Sequence, residues 1–100
     1  MKLEWAPLAR TRFDDILAII TNAQDSNVSA KWLTRLHEAT TLIETFPTMH
    51  PLSSVPTLAP AGIREIAYEN YRVFYSVHED VCRIISILHG HQDVTYIGDL

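Results

Sequence analysis

The sequence predicts an α+β domain: an N-terminal strand, an antiparallel helical hairpin, and a small, mainly antiparallel sheet, in the order β-α-α-β-β-β. Three observations lead there. Apolar residues recur at helical spacing between residues 13 and 46. The proline-rich stretch 47–62 then breaks that period. From Ile63 onward, β-branched and aromatic residues gather into three short runs separated by polar turns. A chain of 100 residues supplies one modest core, so residues 1–100 read as a single domain.

The opening "MKLEW" alternates, with Leu3 and Trp5 on one face and Lys2 and Glu4 on the other, as a short strand does. Pro7 suits the first turn of a helix, where its missing N–H is not needed. Phe13, Ile16, Leu17 and Ile20 follow at the i, i+3, i+4, i+7 spacing of one helical face. Most of Arg10, Arg12, Asp14 and Asp15 fall off that stripe. The polar break "NAQDSN" at 22–27 offers Ser26 and Asn27 as caps for a second helix, over about residues 28 to 45. Ala30, Leu33, Leu36, Ile43 and Phe46 trace its expected apolar stripe, widened by Trp32 and Leu42, and Pro47 stops it. Two helices on a short loop form a hairpin whose apolar sides need a common partner.

Residues 47–62, "PTMHPLSSVPTLAPAG", hold four of the five prolines and no charged residue. They read as an ordered crossing loop, and Gly62 releases the chain into the strands. The three strand runs are Ile63–Glu69, Tyr71–His78 and Val81–His89, with short turns at "EN" and "HED" that favour antiparallel neighbours. Along the middle run, Tyr71, Val73, Tyr75 and Val77 share one face, which can cover the hairpin. Arg72, Phe74, Ser76 and His78 share the other face, expected to stay partly open.

The formal charge is −4, from eight Lys and Arg against twelve Asp and Glu. That balance argues against sequence-independent nucleic-acid binding, which needs a clustered cationic surface. No basic patch or helix-turn-helix signal points to direct contact with operator DNA. Cys82 is the only cysteine and sits in an apolar run, as a buried thiol in a reducing compartment would. The N-terminus lacks a secretory apolar core, and no apolar run approaches a membrane span. The expectation is a soluble cytoplasmic protein that binds no membrane.

The order strand, Pro-started helix, second helix ending at proline, loop, then "GIREIAYENYRVFYSVHEDVCRIISILHGHQD" resembles the ParE/RelE superfamily of type II toxin–antitoxin toxins. The pattern is carried by Gly62, Arg64, Glu65, Tyr71, Arg72, Tyr75, Val77, Leu88 and His89. "EWAPLARTRFDDILAII" is similar to the family's opening helix. The resemblance spans nearly the whole chain. It implies a small toxin neutralised by a cognate antitoxin that wraps an extended or helical segment over it, with no cofactor and no metal.

The resemblance leaves the target open. ParE-type members poison DNA gyrase without a recognised catalytic site, whereas RelE-type members cleave mRNA on the ribosome; fold alone does not choose. A third reading is a non-toxic relative that binds its antitoxin. Metal-independent RNA cleavage needs an acid, a base and cations around the phosphate. By motif, Arg72 matches the arginine of the enzymes' "YR" strand, Arg64 falls where a lysine would stand, and Tyr96 lies near their late tyrosine. His91, or His89, paired with Glu65 or Glu69 offers an alternative acid–base couple.

Two departures oppose the enzyme reading: Ile66 replaces an expected second cation, and Gln92 replaces a late arginine. The only lysines, Lys2 and Lys31, lie far from these strands in sequence. The favoured reading is therefore a ParE-like gyrase poison, with Arg64, Tyr71, Tyr75 and His89 as candidates for target or antitoxin contact. Arg72, His91 and Tyr96 would be catalytic only in a RelE-like enzyme. Each arginine also has a structural alternative, an ion pair with Glu65, Glu69 or Asp93 that fixes strand register. "HGHQD" alternates His89, His91 and Asp93 on one side of a strand, but so short a pattern assigns no metal site. Trp5 and Trp32 read as packing residues rather than base-stacking platforms.

Overall fold

The computed structural model describes residues 2–23, 26–68 and 70–90. Strand β1 (Lys2–Trp5) leads into helix α1 (Pro7–Ala23), and helix α2 (Ser26–Thr45) follows. After the proline-rich loop, with a single 3-10 turn at Ala59–Ala61, come β2 (Arg64–Tyr68), β3 (Tyr71–His78) and β4 (Val81–His89). The expected element order is thus observed, with α2 beginning about two residues earlier than its sequence signal. The four strands form one mixed sheet in the order β1-β4-β3-β2. β1 runs parallel to β4, and the β2–β3 and β3–β4 pairs are antiparallel.

The alternation in β3 sorts as its sequence implies. Val73 and Tyr75 are buried toward the helices, in a core with Phe13, Trp32, Leu36, Ile43, Ile66 and Ile84. Phe74 faces the other way and is equally buried, because the proline-rich loop closes over it. Leu58 and Ile63, with Val55 at the margin, pack on Phe74, Ile85 and Leu88. The second face is therefore half covered by the loop. In β4 the pairing register slips between Phe74 and Tyr75, so that Ile84 pairs with Tyr75 while Ser86 pairs with Phe74. This bulge sets Ile84 and Ile87 in the helical-face core and Ile85 and Leu88 in the loop-face core. A strand buried on both faces reads as a continuous apolar run, which is why "RIISILH" shows no clean alternation.

α2 corrects one expectation. Trp32, Leu36, Thr40 and Ile43 point inward, whereas Leu33 and Phe46 are 41% and 58% exposed, and Ala30 and Leu42 also face out. The physical reason is the rotation set by Trp32. Its ring stacks on Phe13 at 5.9 Å between centroids and meets Tyr71 edge-on at 5.8 Å. Only the row Trp32, Leu36, Thr40, Ile43, at i+4, i+4 and i+3 steps, is then buried, and the apolar count of the helix exceeds the width of its seam. Thr40 is tolerated in that seam because its hydroxyl donates to the Leu36 and His37 carbonyls, 3.0 Å each.

Among the described residues, two backbone positions have positive φ. Gly62 caps the 3-10 turn at φ 77°, with its N–H donating to the Ala59 carbonyl at 3.0 Å. Glu79, in the two-residue turn between β3 and β4, sits at φ 53°, where a residue with a side chain is strained.

Candidate functional site

The loop face of the sheet holds the charged residues that the sequence singles out. Glu65 on β2 and Arg72 on β3 lie on the same face, because Glu65 pairs with Phe74 and Arg72 with Ala67 across the antiparallel ladder. The Arg72 Nε donates to Glu65 Oε2 at 3.0 Å, and its Nη2 donates to Oε1 at 2.9 Å. The same Oε1 accepts from the Ser53 hydroxyl at 2.9 Å. The two side chains are 21% and 17% exposed, and the guanidinium stands 5.1 Å from the Phe74 ring centroid. Hydrogen bonding from Arg72 holds the Glu65 carboxyl below the usual range, partial burial opposing it, and the same bond raises Arg72 further. Arg72 is thus a bidentate partner of Glu65, in agreement with its structural alternative. Ser53, which carries no sequence signal, joins the pair to the loop.

Arg64 is also engaged. Its Nη1 donates to the His50 carbonyl at 2.6 Å, tying the loop to the outer edge of β2. Loop and strand also exchange Ser53 N–H to Ile63 O (2.8 Å) and Glu65 N–H to Pro51 O (3.2 Å). Tyr75, a candidate for surface contact, is instead fully buried. Its hydroxyl donates to the Pro47 carbonyl at 2.8 Å, and desolvation pushes its pKa up. The same burial depresses His50, whose ring meets that of Tyr75 edge-on.

Tyr71 and His89 lie together at the far end of the sheet, half-buried, with ring centroids 5.6 Å apart in an edge-on contact. They end an aromatic row running Trp5, Phe13, Trp32, Tyr71, His89. His91 and Tyr96, and with them Gln92 and Asp93, lie outside the described residues. Among the described residues, no group of three His, Cys, Asp or Glu side chains could hold a metal ion, and no helix is long and apolar enough to cross a membrane. Cys82 is buried, and desolvation raises its thiol pKa.

A helical hairpin on one face of a mixed four-stranded sheet, with the loop-face arginines Arg72 and Arg64 tied to carboxylate and carbonyl oxygens, defines a small α+β protein. A sequence model of the ParE toxin of type II toxin–antitoxin systems, parDE, matches residues 3–94, and the chain belongs to that family. It is the toxin component of a type II toxin–antitoxin system, and its partner is an antitoxin. Among solved structures it is similar to one of the chromosomal ParDE system from P. aeruginosa, at 18% identity and a TM-score of 0.71. That match covers 89% of this chain and 95% of the other, and shows the same fold. No curated protein matches the sequence.

Proposed function

We propose that this chain, when released from its antitoxin in the cytoplasm, poisons DNA gyrase by binding rather than by cleaving RNA. The observation that carries this reading is the engagement of Arg72. A phosphate-binding arginine in a nuclease needs its donor fork free for the scissile phosphate, and here Glu65 occupies that fork through two hydrogen bonds. Arg64 spends a donor on the His50 carbonyl, and the second cation of the enzyme pattern is the buried Ile66. The scarcity of lysine and the net charge of −4 support the same reading. Tyr71 and His89 are the half-exposed candidates for contact with gyrase or antitoxin, together with the segment from His91 onward.

The deciding experiment mixes purified toxin, gyrase, ATP and supercoiled plasmid, followed by a detergent and protease quench. Gyrase-dependent linear DNA is the expected result. If supercoiling proceeds normally with no linear product, gyrase is not the target. Cleavage of mRNA on ribosomes that depends on Arg72, His91 and Tyr96 would then establish the RelE-like enzyme in its place.

A further inference from the structure

β1 is an end strand of the sheet among the described residues, and its pairing with β4 fixes which way its backbone faces. The Lys2 N–H donates to the Asp80 carbonyl at 2.8 Å, and the Ala6 N–H donates to the Ile84 carbonyl at 2.9 Å. Lys2, Glu4 and Ala6 therefore turn their N–H and C=O groups toward β4, and Leu3 and Trp5 turn theirs to the outer edge. The side chains sort by the same alternation. Leu3 and Trp5 pack toward the helical hairpin, half-buried beside a cleft of about 440 Å³ whose other apolar walls include Phe13, Leu17 and Leu33. Lys2 and Glu4 point to the loop face, where Glu4 lies 3.9 Å from the Arg83 guanidinium on β4.

A short edge strand bearing a lysine ordinarily deters pairing. Glu4, two positions along on the same face, reverses that outcome for one partner, a second copy of the strand. Two copies of β1 laid antiparallel about a twofold axis at Leu3 set Lys2 of each opposite Glu4 of the other. Leu3 then faces its own copy as a hydrogen-bonded pair through its outward N–H and C=O groups. The charged residues fall on the adjoining non-hydrogen-bonded pairs, where Cα atoms approach to about 4.5 Å. Moving the axis to Lys2 or to Glu4 opposes lysine to lysine or glutamate to glutamate, so charge selects a single register. In that register Glu4 stands between Arg83 of its own chain and Lys2 of the second copy.

We infer that the free chain forms a homodimer through β1, joining two four-stranded sheets into one of eight strands with both helical hairpins on the same face. The two clefts beside Leu3 and Trp5 then meet across the axis, and each copy covers the other's half-buried apolar edge. A four-residue edge is a small interface, so the dimer is weak, with a Kd on the order of 100 μM. The inference is independent of whether gyrase is the target.

Sedimentation equilibrium of the purified full chain, free of antitoxin, tests it with wild type, Lys2→Glu and Glu4→Lys. Wild type should dimerise. Each substitution turns both cross-axis attractions into repulsions and should weaken the dimer by about tenfold or more. An equimolar mixture of the two variants should associate within a few-fold of wild type, because one brings two acids to face two bases of the other. Misfolding of a variant does not imitate that rescue. If Glu4→Lys fails to fold without its Arg83 contact, wild type and Lys2→Glu decide. A wild-type chain that stays monomeric well above that Kd overturns the inference. So does self-association unchanged in Lys2→Glu, or a mixture of folded variants no tighter than either alone. A monomeric wild-type chain whose antitoxin affinity falls in Lys2→Glu would give the edge to the antitoxin, and overturns the inference too.

Discussion

Arg72 grips Glu65 across the β2–β3 ladder through two parallel N–H···O contacts, and Ser53 supplies a third hydrogen bond to the same carboxylate. This links two adjacent strands and the loop that crosses over them. Removing either charged partner strands the other in a site that is four-fifths shielded from water.

Arg72→Ala and Glu65→Ala should each destabilise the fold by about 1–3 kcal/mol, the usual cost of leaving a shielded polar group unsatisfied. The double variant should lose less than the sum, because it leaves no orphan. Urea unfolding of the four proteins measures the coupling. A sum of independent losses would mean that the pair carries no interaction energy.

The same pair predicts an acid-side pH dependence. Glu65 has a carboxyl pKa below its ordinary 4.5, with the Arg72 hydrogen bond as the largest cause. A group whose folded pKa is depressed contributes stability that is present above the unfolded value and lost as pH falls through the folded one. Thermal midpoints should therefore drop as pH falls below 4.5. Glu65→Gln, which cannot ionise, should show a shallower drop over that window, and identical slopes would assign the acid sensitivity to other carboxylates.

Tyr75→Phe keeps the buried ring but removes the bond to the Pro47 carbonyl. The expected cost is about 1 kcal/mol. Hydrogen exchange should accelerate at the loop amides Met49 and Ser53, which are bonded to Phe46 and Ile63. Unchanged exchange there would show that Arg64 and the strand-edge bonds hold the loop without the tyrosine.

Glu79→Gly should stabilise the chain. The present residue holds φ at 53°, which costs a side-chain-bearing residue about 1–2 kcal/mol relative to glycine. The greater freedom of glycine in the unfolded chain offsets part of the gain, so a rise of a few degrees in thermal midpoint is expected. The weak contact of Glu79 with His78, at 3.8 Å between two exposed side chains, contributes little against this.

The elements were legible because each rests on local chemistry. Pro7 opens α1, Pro47 lies just past the end of α2 at Thr45, and the alternation of Tyr71, Val73, Tyr75 and Val77 divides β3 correctly between its two faces. The site was less legible. Glu65, Glu69 and Asp93 are all possible partners for the arginines by sequence, and Glu65 and Arg72 stand seven positions apart. Only the hairpin register brings these two together. Ser53 carried no signal, since a lone serine in a loop looks like solvated surface.

The order of the elements, the sidedness of the middle strand and membership of the toxin family are set by local sequence, because propensity, period and motif are properties of neighbouring residues. Which face of α2 is buried, the place of Tyr75 in the core with its bond to Pro47, and the oxygens that hold Arg64 and Arg72 emerge only in the folded chain. Those outcomes depend on a helix rotation fixed by Trp32 against Phe13 and Tyr71, and on a loop folded back over β2. Both are long-range packing events, in which the energy of burying particular surfaces selects among arrangements that local sequence leaves equally open.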